Sequence, residues 1–116
     1  MTSGDTRTLI RQAVENLQQE VPALKQLKLV IRLELLARGD IPTWRVEVPG
    51  PRISKDPAGD ARIDVAVSRS HFNELAVEGR LKHWVDAYDH GHVRVSGDPA
   101  VTKLIGNVIQ RQLARA

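Results

Sequence analysis

The chain contains no cysteine. That excludes a disulfide framework and a thiolate metal site, and it fits a reducing compartment. Aromatic residues are scarce as well, with two tryptophans, one tyrosine and one phenylalanine. The interior is therefore expected to be built from Leu, Val, Ile and Ala. No apolar run approaches the roughly 20 residues that a helical membrane span needs. The opening Met1 to Asp5 is short and polar, so no secretory signal is read there. Charges of the two signs alternate along the chain, and the formal excess of +3 is not read as a nucleic-acid signature. Gly-x-Ser-x-Gly, a phosphate loop and His-Glu-x-x-His are all absent. No catalytic residue, cofactor or metal is assigned, and the chain is not expected to be an enzyme.

What is present is strongly patterned. The 116 residues suit one domain with a single core, with residues 1–4 as a loose tail. Asp5 or Thr6 is placed to cap a first helix carrying Leu9, Ile10, Ala13, Val14, Leu17 and Val21 on one face. Pro22 ends it. Four alternating segments follow: Leu29 to Leu35, Trp44 to Val48, a short edge strand over Arg52 to Lys55, and Ile63 to Val67. Gly39-Asp40 and Asp56-Pro57-Ala58-Gly59 mark turns between them. Ser68 or Ser70 caps a helix with Phe72, Leu75 and Ala76 that stops near Gly79. Leu81, Trp84, Val85 and Tyr88 fall at i, i+3, i+4 and i+7, the spacing of a second short helix, and Gly91 stops it. A fifth strand covers His92 to Ser96. Asp98 and Pro99 then open a last helix whose stripe is Val101, Leu104, Ile105, Val108, Ile109, Gln112 and Leu113.

In every strand one face is apolar and the other carries charge: Arg32, Glu34, Arg45, Glu47, Arg62, Asp64 and Arg94. A sheet with one wet face is typical of antiparallel pairing with helices on the other side. The expected fold is a two-layer α/β domain with a five-stranded, mainly antiparallel sheet. Mixed signs on the wet face allow cross-strand ion pairs.

Gly79-x-Leu81, then Ala87-Tyr88-x-x-Gly91-x-Val93-x-Val95-x-Gly97-Asp98 before an apolar helix, resembles the C-terminal half of the sterol carrier protein 2 family. Lys82-His83-Trp84 stands where relatives often have Asn-Pro-Gln, the Leu-to-Ala spacing is one residue longer, and His92 replaces a lysine. The order of elements is similar along nearly the whole chain. The resemblance implies a tunnel between sheet and helices that binds a lipid or steroid-like small molecule: fatty acid, acyl-CoA, sterol or isoprenoid. Its lining is expected from Leu33, Leu35, Trp44 and Val46 on the sheet. The helices would add Phe72, Leu75, Trp84, Val85, Tyr88, Leu104, Ile105, Val108 and Ile109, with the last helix as lid. Trp44, Trp84 and Tyr88 suit a cavity mouth, and Gly106 suggests a close approach inside the last helix. A filled core is the plainer reading of the same stripes. It would suit an accessory domain assisting a partner enzyme of lipid, steroid or quinone metabolism.

His90-x-His92 beside Asp86 or Asp89 has a weak metal pattern, but His90 lies at a helix C-terminus, where the dipole favours a cation. Arg38-Gly39-Asp40 is a hairpin turn rather than an adhesion motif. Arg111 and Arg115 suit the negative end of the last helix and leave room for transient contact with an anionic membrane surface. The C-terminal Leu113-Ala114-Arg115-Ala116 is not a peroxisomal address. The expected setting is cytoplasmic and bacterial. Oligomeric state is not legible.

Overall fold

The computed structural model of the chain describes residues 3–39 and 41–115, without the side chains at positions 3–5 and 78. Helix α1 (Ser3–Glu20) is followed by a short 3-10 helix (Pro22–Gln26), then strands β1 (Leu29–Leu36), β2 (Thr43–Val48), β3 (Arg52–Lys55) and β4 (Ile63–Ser68). Helices α2 (Arg69–Glu78) and α3 (Leu81–Asp89), strand β5 (Val93–Gly97) and helix α4 (Pro99–Arg115) complete the chain. The five strands form one sheet in the order β3-β2-β1-β4-β5. Only the central β1–β4 pair is parallel, and the other three pairs are antiparallel. The expected architecture is thus the observed one.

Local chemistry accounts for the boundaries. Ser68 Oγ accepts the His71 N–H and caps α2. Gly91 takes φ +78° just past α3, a conformation that costs glycine nothing. The Asp98 carboxylate accepts the Ala100 N–H at 2.9 Å, and Pro99 is the first residue of α4. Two boundaries differ from expectation. α1 already begins at Ser3, so positions 3 and 4 belong to the helix rather than to a tail, and Asp5 and Thr6 lie inside it. Pro22 ends α1 but also opens the 3-10 helix, a favourable use of its fixed φ. Gly39 has φ +77° as a turn requires, whereas Asp40, Met1, Thr2 and Ala116 lie outside the described residues.

The wet face carries ion pairs. Arg32 and Asp64 are direct partners across β1 and β4, with Nε 2.7 Å from the carboxylate. Arg32 also sits opposite Arg45 on β2, a like-charge pairing that would destabilise alone. Arg45 is neutralised in turn by Glu47 on its own strand and by Asp60 at 2.7 Å. The Arg45 hydrogen bond holds the Asp60 carboxyl below its ordinary value, and Asp60 raises the Arg45 guanidinium. Such pairs at a surface contribute roughly 0–1 kcal/mol each.

The opposite face holds the core. Leu33, Leu35, Trp44, Val46, Ile53, Val67 and Val93 from the sheet pack with Ile10 and Ala13 of α1 and with Phe72, Leu75, Ala76 and Ala87. Full burial of such a side chain is worth about 1.5–3 kcal/mol. Gln18 of α1 is itself buried and donates to the Pro49 carbonyl at 2.8 Å, tying α1 to the β2–β3 turn. α1 thus covers the β1–β2–β3 side, and α2 closes over the adjoining end of β4.

Candidate ligand-binding site

The sheet register shows where this cover stops. Leu35, Val67 and Val93 form one cross-strand row on the apolar face, and all three are buried. In the next row Leu33 is buried, Val65 is half-buried and Val95 is 39% exposed. Ile31, one step further along β1, is also half-buried. Apolar surface therefore opens along the Leu33–Val65–Val95 row toward β5, whereas Ile63, the partner of Ile31 on β4, is buried.

Two helices border that opening. α3 buries Leu81 and Ala87 but leaves Trp84 and Val85 half-buried and Tyr88 54% exposed. Trp84 meets Phe72 edge-on, with ring centres 6.2 Å apart, a favoured aromatic geometry. α4 packs mainly against β5 and the 3-10 helix. It has no fully buried residue. Its half-buried positions are Val101, Thr102, Ile105, Val108, Ile109, Gln112 and Leu113, and Leu104 is 47% exposed. The apolar stripe is therefore turned inward without being sealed. α3 and α4 each contact β5, the strand on which the open row ends.

The residues expected to line a tunnel divide into two groups. Leu33, Leu35, Trp44, Val46, Phe72 and Leu75 sit in the packed cluster with α1. Trp84, Val85, Ile105, Val108 and Ile109 are half-buried and Tyr88 and Leu104 exposed, outside that cluster on α3 and α4. Ile31, Val65 and Val95 belong with the second group and were not singled out in the sequence. They alternate like their buried neighbours, and only the reach of α1 and α2 separates them. Trp44 is not at a mouth: it is 2% exposed, and its Nε1–H finds no hydrogen-bond partner among the described residues. The Lys55 ammonium lies 5.6 Å from the centre of its ring. Gly106 is exposed, and a methyl there would meet no protein atom within 4 Å, so no neighbouring element of the chain approaches it. α4 is also less of a lid than expected, because α1 and α2 already cover the deep half of the face.

Two surface hollows lie elsewhere. One, of about 490 Å³, is on the wet side and is lined by Leu36, Ala66, Ser68, Ser70, His71, Gly91, His92 and Arg94. The other, of about 390 Å³, lies beside the β2–β3 end at Pro42, Thr43, Lys55, Asp56 and Pro57. Neither includes an expected lining residue. His71 stacks on His92 with ring centres 4.3 Å apart, and His90 lies 6.3 Å beyond. The rings stack instead of converging on a point, and among the described residues no cluster of three or more His, Cys, Asp or Glu is able to hold a metal. No described helix is long and apolar enough to cross a membrane.

No protein-family model and no curated protein matches the sequence. Solved structures do. Palmitated SCP2L2 from Aedes aegypti superposes with a TM-score of 0.60 at 16% identity, covering 86% of this chain and 93% of that one. The apo form of sterol carrier protein 2 from Yarrowia lipolytica gives 0.57 at 21% identity, covering 80% and 84%. The ubiquinone synthesis protein UbiJ-SCP2 gives 0.55 at 20% identity, covering 94% and 93%. At these identities the likeness establishes architecture: the chain has the sterol carrier protein 2 fold.

Proposed function

We propose that the protein is a non-enzymatic carrier of apolar lipids of the fatty acid, acyl-CoA, sterol or isoprenoid type. The ligand lies between the sheet, α3 and α4. The observation that carries this reading is α4, a helix of seventeen residues with a continuous apolar stripe and no fully buried side chain. A stripe that served only to complete the core would be buried by it. Here Ile105 and Val108 remain half-covered, as do Ile31 and Val65 on the sheet and Trp84 and Val85 on α3. A long apolar ligand would complete that packing, at about 25 cal/mol per Å² of apolar surface removed from water. Leu33, Leu35, Trp44, Val46, Phe72 and Leu75 then serve as the floor, and Tyr88, Leu104 and Ile109 as the rim. The fold shared with a palmitated protein supports a long-chain ligand. The proposed setting is the bacterial cytoplasm.

Titration with a fluorescent fatty acid tests the proposal. Saturable one-site binding displaced by unlabelled fatty acid is expected. Failure to bind a fatty acid, a sterol or an isoprenoid would overturn it.

A second reading has its own support. Six of the thirteen expected lining residues lie in the packed cluster, and Ile41, Val77 and Tyr88 are each more than half exposed. A filled core with apolar residues outside suits an accessory domain on a partner enzyme of lipid, steroid or quinone metabolism. A stable complex in affinity capture, together with no lipid uptake, would select this reading.

A further inference from the structure

Arg94 of β5 differs from the arginines beside it on the wet face. Arg32, Arg45 and Arg62 each hold a carboxylate. Arg94 is exposed and enters no ion pair among the described residues. The register explains the difference. Its partner on β4 is Ala66, and the next residue in that row is Glu34 on β1. Neighbouring strands lie about 4.8 Å apart, so Glu34 stands two strands away from Arg94. Two residues back along β4, Asp64 receives Arg32. Beside Arg94 the corresponding place is held by an alanine.

Arg94 also borders the hollow of about 490 Å³, which lies where β1 and β4 end at Leu36 and Ser68. The other polar side chains on its wall are Ser68, Ser70, His71 and His92, and no carboxylate is among its lining residues. The two imidazoles are stacked with ring centres 4.3 Å apart. His71 Nδ1 lies 3.0 Å from Ser68 Oγ, which leaves Nε2 without a partner among the described residues. His92 has neither ring nitrogen hydrogen-bonded among them. An exposed arginine by itself asks for no ligand. Here a guanidinium, two imidazoles and two hydroxyls from three separate stretches of chain line one concavity free of acid. Each imidazole restrains the other, so these donors are ordered before anything binds. The volume falls in the range of small-molecule sites, about 300–1,000 Å³.

We infer that this hollow binds the phosphate group of a small, water-soluble phosphate monoester. Such a group carries about −1.5 to −2 charges at neutral pH and three strong acceptor oxygens. A guanidinium is shaped to hold two of those oxygens in parallel. Imidazole N–H groups and serine hydroxyls donate to the rest. The small side chain of Ala66 leaves space against the sheet for the organic part of the ester. The hollow lies on the face of the sheet opposite the apolar surface assigned to the lipid. The two ligands therefore do not compete, and the inference stands independently of the carrier reading.

The experiment is an NMR titration of the isotopically labelled full chain with glycerol 3-phosphate at constant ionic strength, with glycerol and sodium chloride as controls. Saturable shifts are expected in the ring signals of His71 and His92 and in the amide of Ser70, and glycerol should produce none. Arg94→Gln should weaken the binding roughly tenfold. Arg7→Gln removes an equal charge at an exposed position on α1 and should leave the affinity unchanged. Amide signals of the buried core serve to show that both variants are folded. No saturable shift, the same shifts with sodium chloride, or equal losses in the two variants would overturn the inference. So would shifts produced by phosphatidic acid vesicles but not by glycerol 3-phosphate, which would assign the hollow to a lipid headgroup.

Discussion

A methyl group placed on Gly97 would lie 2.4 Å from the Arg62 carbonyl oxygen. Gly97 ends β5 with φ +130°, a conformation that side-chain-bearing residues rarely adopt. The same Arg62 carbonyl accepts the Asp98 N–H at 2.9 Å, and the Arg62 guanidinium holds the Asp98 carboxylate. These contacts set the direction in which α4 leaves the sheet. Gly97→Ala is therefore expected to cost roughly 1–3 kcal/mol and to weaken lipid uptake by shifting α4. A denaturant midpoint equal to that of wild type would contradict this account of the turn.

Substitutions should separate the core from the site. Leu35 is fully buried, and Leu35→Ala is expected to destabilise by roughly 2–5 kcal/mol. Val108 is half-buried on a helix without buried residues. Val108→Trp should leave the unfolding midpoint nearly unchanged while reducing fatty acid uptake several-fold. Full uptake by V108W would remove Val108 from the lining.

Affinity should follow ligand length. Each buried methylene contributes about 0.8 kcal/mol, so affinity should rise roughly fourfold per methylene along a series of saturated fatty acids. The rise should level off once the chain outgrows the apolar surface. A flat series would show that the chain is not what the protein holds.

Acid should weaken the α4 junction. Asp98 is held below the ordinary 3.8, first by the Arg62 hydrogen bond and then by the Ala100 N–H. A carboxyl lowered in the folded state stabilises the fold above its unfolded value and loses that contribution as pH falls through the lowered value. Asp98→Asn should therefore be less stable than wild type at neutral pH, and the difference should shrink below about pH 4. The pair is exposed, so added salt should also reduce it. A difference constant from neutral to acid pH would contradict this account of Asp98.

The strands were legible because alternation has one cause: in β1, β2 and β4 every second residue faces the core, and the register preserves that parity across all five strands. Helices α2, α3 and α4 were legible from period and caps, with Ser68, Gly91 and Asp98 in their expected places. The site was only half legible. Leu33 and Ile31 have the same residue class and parity, and what separates them is whether a helix from elsewhere in the chain lies over them. The stripe of α4 likewise reads the same whether sealed or open. The 3-10 helix escaped notice because five residues are too few for a period. Gly106 has no protein neighbour within 4 Å, and a glycine cost in a helix does not reveal which group, if any, approaches it.

The central claim is that the half-covered surface between the sheet, α3 and α4 holds a lipid. Native mass spectrometry of freshly purified protein, with solvent extraction of what is released, tests it most directly. The account predicts a complex carrying one lipid per chain, either as purified or after incubation with a long-chain fatty acid. A mass equal to the bare chain under both conditions would contradict it.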